Sequence, residues 1–263
     1  MALLQPTQFE DGGSGSGSLR DQILQANSSP EDDIIELQGG ATYSLSIGNT
    51  VDNPDGETID FGDGNTTDAE TITFADENQG RLGDLDIIDS GSLTIRVVGE
   101  GQATIDASNI PEGDRVIDIQ ENANVTLENI VITGGNKTNP GGGIAARDNS
   151  SVIISNSTIS ENTGVGGGGI ALGGEITITD SQINNNSASE PGGGIAITSN
   201  GIANISGSTI SNNSSINSAD IGSGGGIFSN GQLNIADSII SENTASRQGG
   251  GVVLDSTTSI PSK

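Results

Sequence analysis

The sequence predicts an all-β solenoid, a parallel β-helix covered at its N-terminal end by one short helix. Three observations lead there. A Gly-Gly-Gly-apolar word occurs five times, ending at Ile144, Ile170, Ile195, Ile227 and Val252, with spacings of 26, 25, 32 and 25 residues. A second word, apolar-x-apolar-x-x-Ser-x-Ile-x-x-Asn, is interleaved with the first. It sets Ile159, Ile183, Ile210 and Ile240 in one series and Asn162, Asn186, Asn213 and Asn243 in another. Self-similarity at such a period is the signature of stacked repeats. The composition fits a narrow core filled by Ile: 31% hydrophobic residues, 41 Gly, 2% aromatic residues and no Trp.

Taken from the N-terminus, residues 1–17 are expected to be a flexible segment, ending in the Gly/Ser run 12–18. Residues 18–27 read as a short amphipathic helix. Ser18 is its N-cap, Asp21 favours its positive end, and Leu19, Ile23, Leu24 and Ala26 form its apolar face. A β-helix has open ends with unpaired strand edges, and a helix laid across one covers them. The rest, 18–263, is expected to be one β-helix domain. Residues 49–82 stand out as an acidic insertion, read as a solvated, mobile loop. Residues 122–258 carry the repeats.

Within each repeat the apolar residues alternate: Val152 and Ile154, Ile176 and Ile178, Leu233 and Ile235. Period two means short strands with one face buried. Three such strands per 25 residues, without paired Asn-Gly turns, suit a coil that stacks on its own copy. The glycines are expected to allow positive φ and close packing on the next coil. The Asn column is expected to take the left-handed corner position and to bond to the Asn above and below. Ser157, Ser181, Ser208 and Ser238 should face inward beside the Ile row. No Lys-Ser/Thr follows the glycines and no helix opens after them, so they are not phosphate loops.

Charge narrows the function classes. The net charge is −27, from 35 acids against 8 bases. Residues 1–121 carry −21 of it and residues 122–263 carry −6. Nucleic acid is repelled and divalent cations are favoured. With no Cys and no His, disulfides, thiolate metal sites and Ser-His-Asp or Cys-His catalysis are excluded. No apolar run is long enough to be a transmembrane segment, and Met1–Pro6 lacks the basic and apolar regions of a secretory signal.

Several words resemble a known family. Gly17-Ser-Leu-Arg-Asp-Gln-Ile-Leu-Gln-Ala-Asn27, then Asp32–Leu37, Ala41–Leu45, Gly83–Ile87, Leu93–Ile95 and Asp114–Ile119, resemble the CSLREA-type module of bacterial surface and secreted proteins. The Gly-Gly-Gly-Ile and Ile-x-x-Asn words are similar to the repeat of polymorphic outer-membrane proteins, with Ile in place of Phe and Gly17 in place of the module's Cys. The resemblance implies a right-handed, pectin-lyase-like β-helix, the hand general for parallel crossovers. Together with the charge and the missing catalytic sets, it leads us to expect a non-catalytic secreted or cell-surface protein, structural or adhesive, monomeric, with a carbohydrate or cell-surface partner.

The same fold hosts polysaccharide lyases and hydrolases, which is the alternative. A lyase needs an Arg base beside carboxylates. Arg96, near Asp84, Asp86 and Asp89 in sequence, is the candidate. Arg20 and Arg115 are expected to be structural, paired with Asp21 or Asp114. Calcium is the candidate cation, with Asp63, Asp84, Asp86 and Asp89 as its possible ligands, and weak binding by the acidic loop suits an extracellular setting. An ice-binding solenoid would need a regular outward array, and Thr158, Gln182, Thr209 and Ile239 are not one.

Overall fold

The computed structural model describes residues 1–12, 15–46, 57–60, 71–74, 83–88, 91–110, 113–136, 138–216 and 223–255. Their architecture is a parallel β-helix with three faces. The first face has eight strands: Ala2–Leu4, Asp33–Gln38, Ser92–Val98, Asn124–Glu128, Ser151–Ser155, Glu175–Thr179, Ile202–Ser206 and Gln232–Ala236. The second has seven, from Thr42–Ser44 to Ile239–Ser241. The third also has seven, from Leu85–Ile87 to Val252–Leu254. A fourth ladder of two-residue strands, Thr163–Gly164 to Thr244–Ala245, runs along the corner between the second and third faces. All pairings on these faces are parallel and in register, so identical places in successive repeats lie one above another.

That register builds the core. Ile144, Ile170, Ile195 and Ile227 are fully buried in one column, and Ile159, Ile183 and Ile210 in a second. Each contributes about 1.5–3 kcal/mol through burial. Only the last members of the columns, Val252 and Ile240, are partly exposed.

Two polar ladders run beside the Ile columns. Asn162 donates from Nδ2 to Asn186 Oδ1 at 3.1 Å, Asn186 to Asn213 at 3.0 Å and Asn213 to Asn243 at 3.0 Å. Each Oδ1 also accepts the backbone N–H of the Asn in the preceding coil. The left-handed geometry falls one place earlier than expected, on Glu161, Asn185, Asn212 and Glu242, so the ladder residue itself is not strained. The serines form the second ladder, with Ser157 N–H donating to Ser181 Oγ and Ser181 N–H to Ser208 Oγ, both at 3.1 Å. Every hydroxyl returns its proton to a carbonyl two residues back.

The glycine words are places of close approach. The first glycine of each word has positive φ, as at Gly167. The second, Gly168, has no room: a Cβ there would lie 2.3 Å from Ser187 O and 2.5 Å from Gly193 O.

Two features depart from the sequence reading, and a third agrees with it and adds a contact. Ala2–Leu4, within the segment expected to be flexible, is a strand paired parallel with Asp33–Gln38. The insertion 49–82, read as a loop, contains an antiparallel pair, Glu57–Asp60 with Thr71–Phe74. The helix is Leu19–Asn27, N-capped by Ser18, and Asp21 spends its carboxylate on the backbone N–H groups of Gly15 and Gly17.

Two comparisons test the stacking. Ile183→Ala opens a cavity fixed from above and below and is expected to cost about 3–5 kcal/mol, whereas Ile240→Ala, in the last coil, should cost less than half of that. Equal losses in chemical denaturation would contradict the layout. Gly168→Ala should lower the unfolding temperature sharply. Gly251→Ala, where a Cβ would meet only Ile240 Cγ2 at 3.6 Å, should be tolerated.

Candidate site: a buried carboxylate–arginine cluster

The middle residue of each third-face strand points away from the Ile core. In the later coils it is Ala145, Ala171, Ala196 and Phe228, buried as a small second cluster against the glycine words. In the first two coils the same column holds Asp86 and Asp118, paired in register with each other and with Ala145. Both carboxylates are buried.

Arginines meet them there. Arg147 binds Asp118 with both ends of its fork, Nη2 to Oδ2 at 2.8 Å and Nε to Oδ1 at 3.2 Å. Arg115 reaches Asp118 Oδ2 from Nη1 at 3.0 Å and Asp84 Oδ2 from Nε at 3.1 Å. Arg20 comes in from the helix. It pairs bidentately with Asp11 at 2.9 and 3.0 Å and donates to the carbonyls of Asp84 and Gly83, both at 2.6 Å. The network therefore joins the N-terminal segment, the helix and the first three coils. Arg20 and Arg115 are structural, but the partners differ from the expected Asp21 and Asp114: Arg20 takes Asp11, and Arg115 takes Asp84 and Asp118. Asp114 Oδ1 instead accepts the backbone N–H of Arg115.

Asp84, Asp86 and Asp118 each bring one carboxylate oxygen within 4.8 Å of the others, a spacing suited to a cation. Two guanidinium groups already neutralise Asp118 on both oxygens, so the cluster reads as an ion-pair lock rather than a metal centre. Of the candidate calcium ligands, Asp84 and Asp86 belong to this cluster, and Asp63 and Asp89 lie outside the described residues. Arg96 is on a different face from Asp84 and Asp86. Its Nη2 is 2.7 Å from Glu36 Oε1, and this pairing holds the Glu36 carboxyl below its usual range.

Sequence reasoning did not single out Asp11 or Asp118. A signal for Asp118 was present: Leu85-Asp-Ile87 and Ile117-Asp-Ile119 are the same word, with an acid between two core residues.

Asp84 is the strained member. Its Oδ1 is buried without a hydrogen-bond partner. Burial pushes its carboxyl well above the usual range, and the carboxylates of Asp86 and Asp114 push it further. The native state thus keeps a proton that the unfolded chain releases near pH 4. Above that pH the native state binds more protons, so stability falls as pH rises toward Asp84's native pKa. Asp84→Asn should remove this fall. Its unfolding temperature should match the parent near pH 4 and exceed it above neutrality. A neutral-pH loss of about 3–5 kcal/mol would instead mean that Asp84 is ionised against Arg115.

A family profile described as a right handed beta helix region matches residues 71–235, more than half of the chain. No curated protein matches the chain. No solved structure matches it either. The extent of the profile match and the parallel three-faced stack agree, and the chain belongs to the right-handed β-helix family.

Proposed function

We propose that the protein is a non-catalytic rod, secreted or displayed at a cell surface, with a structural or adhesive role. The observation that carries this reading is where the charged groups sit. The clustered residues that could supply acid, base or metal chemistry are buried: Asp84, Asp118, Arg115 and Arg147 are bonded to one another, and Asp86 accepts from Gln120 Nε2 at 3.4 Å. Arg96, the candidate lyase base, is tied to Glu36 on another face. What the first face offers to solvent is a register of short side chains: Thr94, Thr126, Ile153, Thr177, Asn204 and Asn234. Its C-terminal part forms a shallow depression lined by Thr177, Asn204, Ser206 and Asn234 together with Ile205, Ile235 and Ala236. There Asn234 donates to Asn204 at 2.9 Å. A row of hydroxyl and amide groups, interrupted by Ile153, suits weak, repeated contacts with a carbohydrate or another surface. The similarity to the CSLREA-type module supports the extracellular setting. No helix among the described residues is long and apolar enough to cross a membrane.

The test is incubation with pectate and other uronate polymers in the presence of calcium, followed by absorbance of unsaturated products and by reducing ends. The expected result is no cleavage, with retention on immobilised polysaccharide or whole cells that Asn204→Asp weakens. Cleavage abolished by Arg96→Ala would replace the adhesive reading with a polysaccharide lyase.

A further inference from the structure

Two elements of unlike character close the N-terminal end of the stack. The helix Leu19–Asn27 packs on Leu85–Ile87 and Asp33–Gln38 and buries Leu19, Ile23 and Ala26. Ahead of it, residues 1–12 run along the edges of the first two faces. Ala2–Leu4 pairs with Asp33–Gln38, and Glu10 bridges to Ser44 in the edge strand Thr42–Ser44.

This segment buries little of itself. Leu3 is 56% exposed and Phe9 49%, although the Phe9 ring meets Tyr43 edge-on with 5.3 Å between centroids. Leu4 is half-buried against the core, and the contact of Gln5 Nε2 with Glu36 Oε2 is exposed. Asp11 is the exception. Its side chain is fully buried on Arg20, and its Oδ2 also accepts the N–H of Ser46 at 3.0 Å. Just beyond it the chain is fixed to the helix. Ser18 Oγ donates to the carbonyl of Gly12 at 2.6 Å, and the N–H groups of Gly15 and Gly17 donate to Asp21.

A segment with few buried apolar contacts and exposed hydrogen bonds opens locally, ahead of the fold that carries it. We propose that residues 1–11 are a latched strap, with Asp11 on Arg20 as the latch, which opens as a unit about Gly12 while the coils stay folded. When open, it uncovers the edges of Asp33–Gln38 and Thr42–Ser44, and an uncovered edge accepts another strand. When closed, the strap fills that place itself. The latch therefore controls whether this end of the rod can pair.

Three consecutive amides record the state of the strap. Ser44 N–H donates to the carbonyl of Phe9 at 3.0 Å, and Ser46 N–H to Asp11 Oδ2. Leu45 N–H, between them, donates to the carbonyl of Asp106 in the next coil at 2.7 Å. Opening frees the first and third and leaves the second bonded.

The experiment is amide hydrogen exchange of the full chain, resolved by residue with NMR. Ser44 and Ser46 are expected to exchange at least about tenfold faster than Leu45, after correction for intrinsic rates. Asp11→Asn keeps the shape of the side chain and removes its charge, and should widen that gap by about tenfold again with Leu45 and Ile170 unchanged. Phe9→Ala leaves the latch in place and should widen it less. A labelled peptide of residues 1–12 supplies the missing carboxylate, so it should bind Asp11→Asn more tightly than the parent protein by about tenfold or more. One common exchange rate for Ser44, Leu45 and Ser46 would mean that the strap leaves only with its coil, and would overturn the proposal. So would an Asp11→Asn protein that exchanges as the parent does, or equal binding of the peptide to both.

Discussion

Everything in this structure depends on one constraint: each coil must present its strands to the next in the same register. The backbone of a coil cannot satisfy its own hydrogen-bonding groups, so it borrows them from its neighbours. The Asn and Ser columns extend that rule to side chains. An Asn amide here donates to the coil before and after it and accepts a backbone proton, which leaves little of it unused. The Ile columns then follow, because register on one face carries it to the other two. Loops are free only where register is restored before the next strand. The 32-residue spacing before Ile227 lengthens a corner and leaves the three faces unchanged.

The parts of the fold that repeat were legible in the sequence, because each column is written several times over. Ile159, Ile183 and Ile210 identify one another. The parts that occur once were harder. The strand Ala2–Leu4 is too short and too near the Gly/Ser run to show a period. The pair Glu57–Asp60 and Thr71–Phe74 does alternate, in Thr71-Ile-Thr-Phe74, but the surrounding acids hid it. The left-handed corner was assigned one residue too late because Glu161 and Glu242 are unusual in that geometry, and Asn is the residue one expects there.

The candidate site shows the same division. Arg20 and Arg115 could be read as structural from their words alone. Their partners could not, because Asp11, Asp84 and Asp118 are brought in from separate coils and from the N-terminal segment. Sequence proximity suggested Asp21 and Asp114. Stacking instead places residues about one coil apart in contact, as Asp118 and Arg147 are, 29 positions apart. Sequence proximity also linked Arg96 to the Asp84–Asp86 word, although a coil corner separates their faces.

The direction of the hydrogen bonds between coils has a mechanical consequence. They run along the rod axis, so a pull on the two ends loads the three faces of a coil together rather than one bond after another. A coil with a neighbour on one side only is held by half as many of these bonds and gives way before those within the stack. When a coil of about 25 residues peels off, it releases roughly 80–90 Å of extended chain, while the coils beneath keep their register. A stack built this way lengthens in steps under strain and dissipates work at each one.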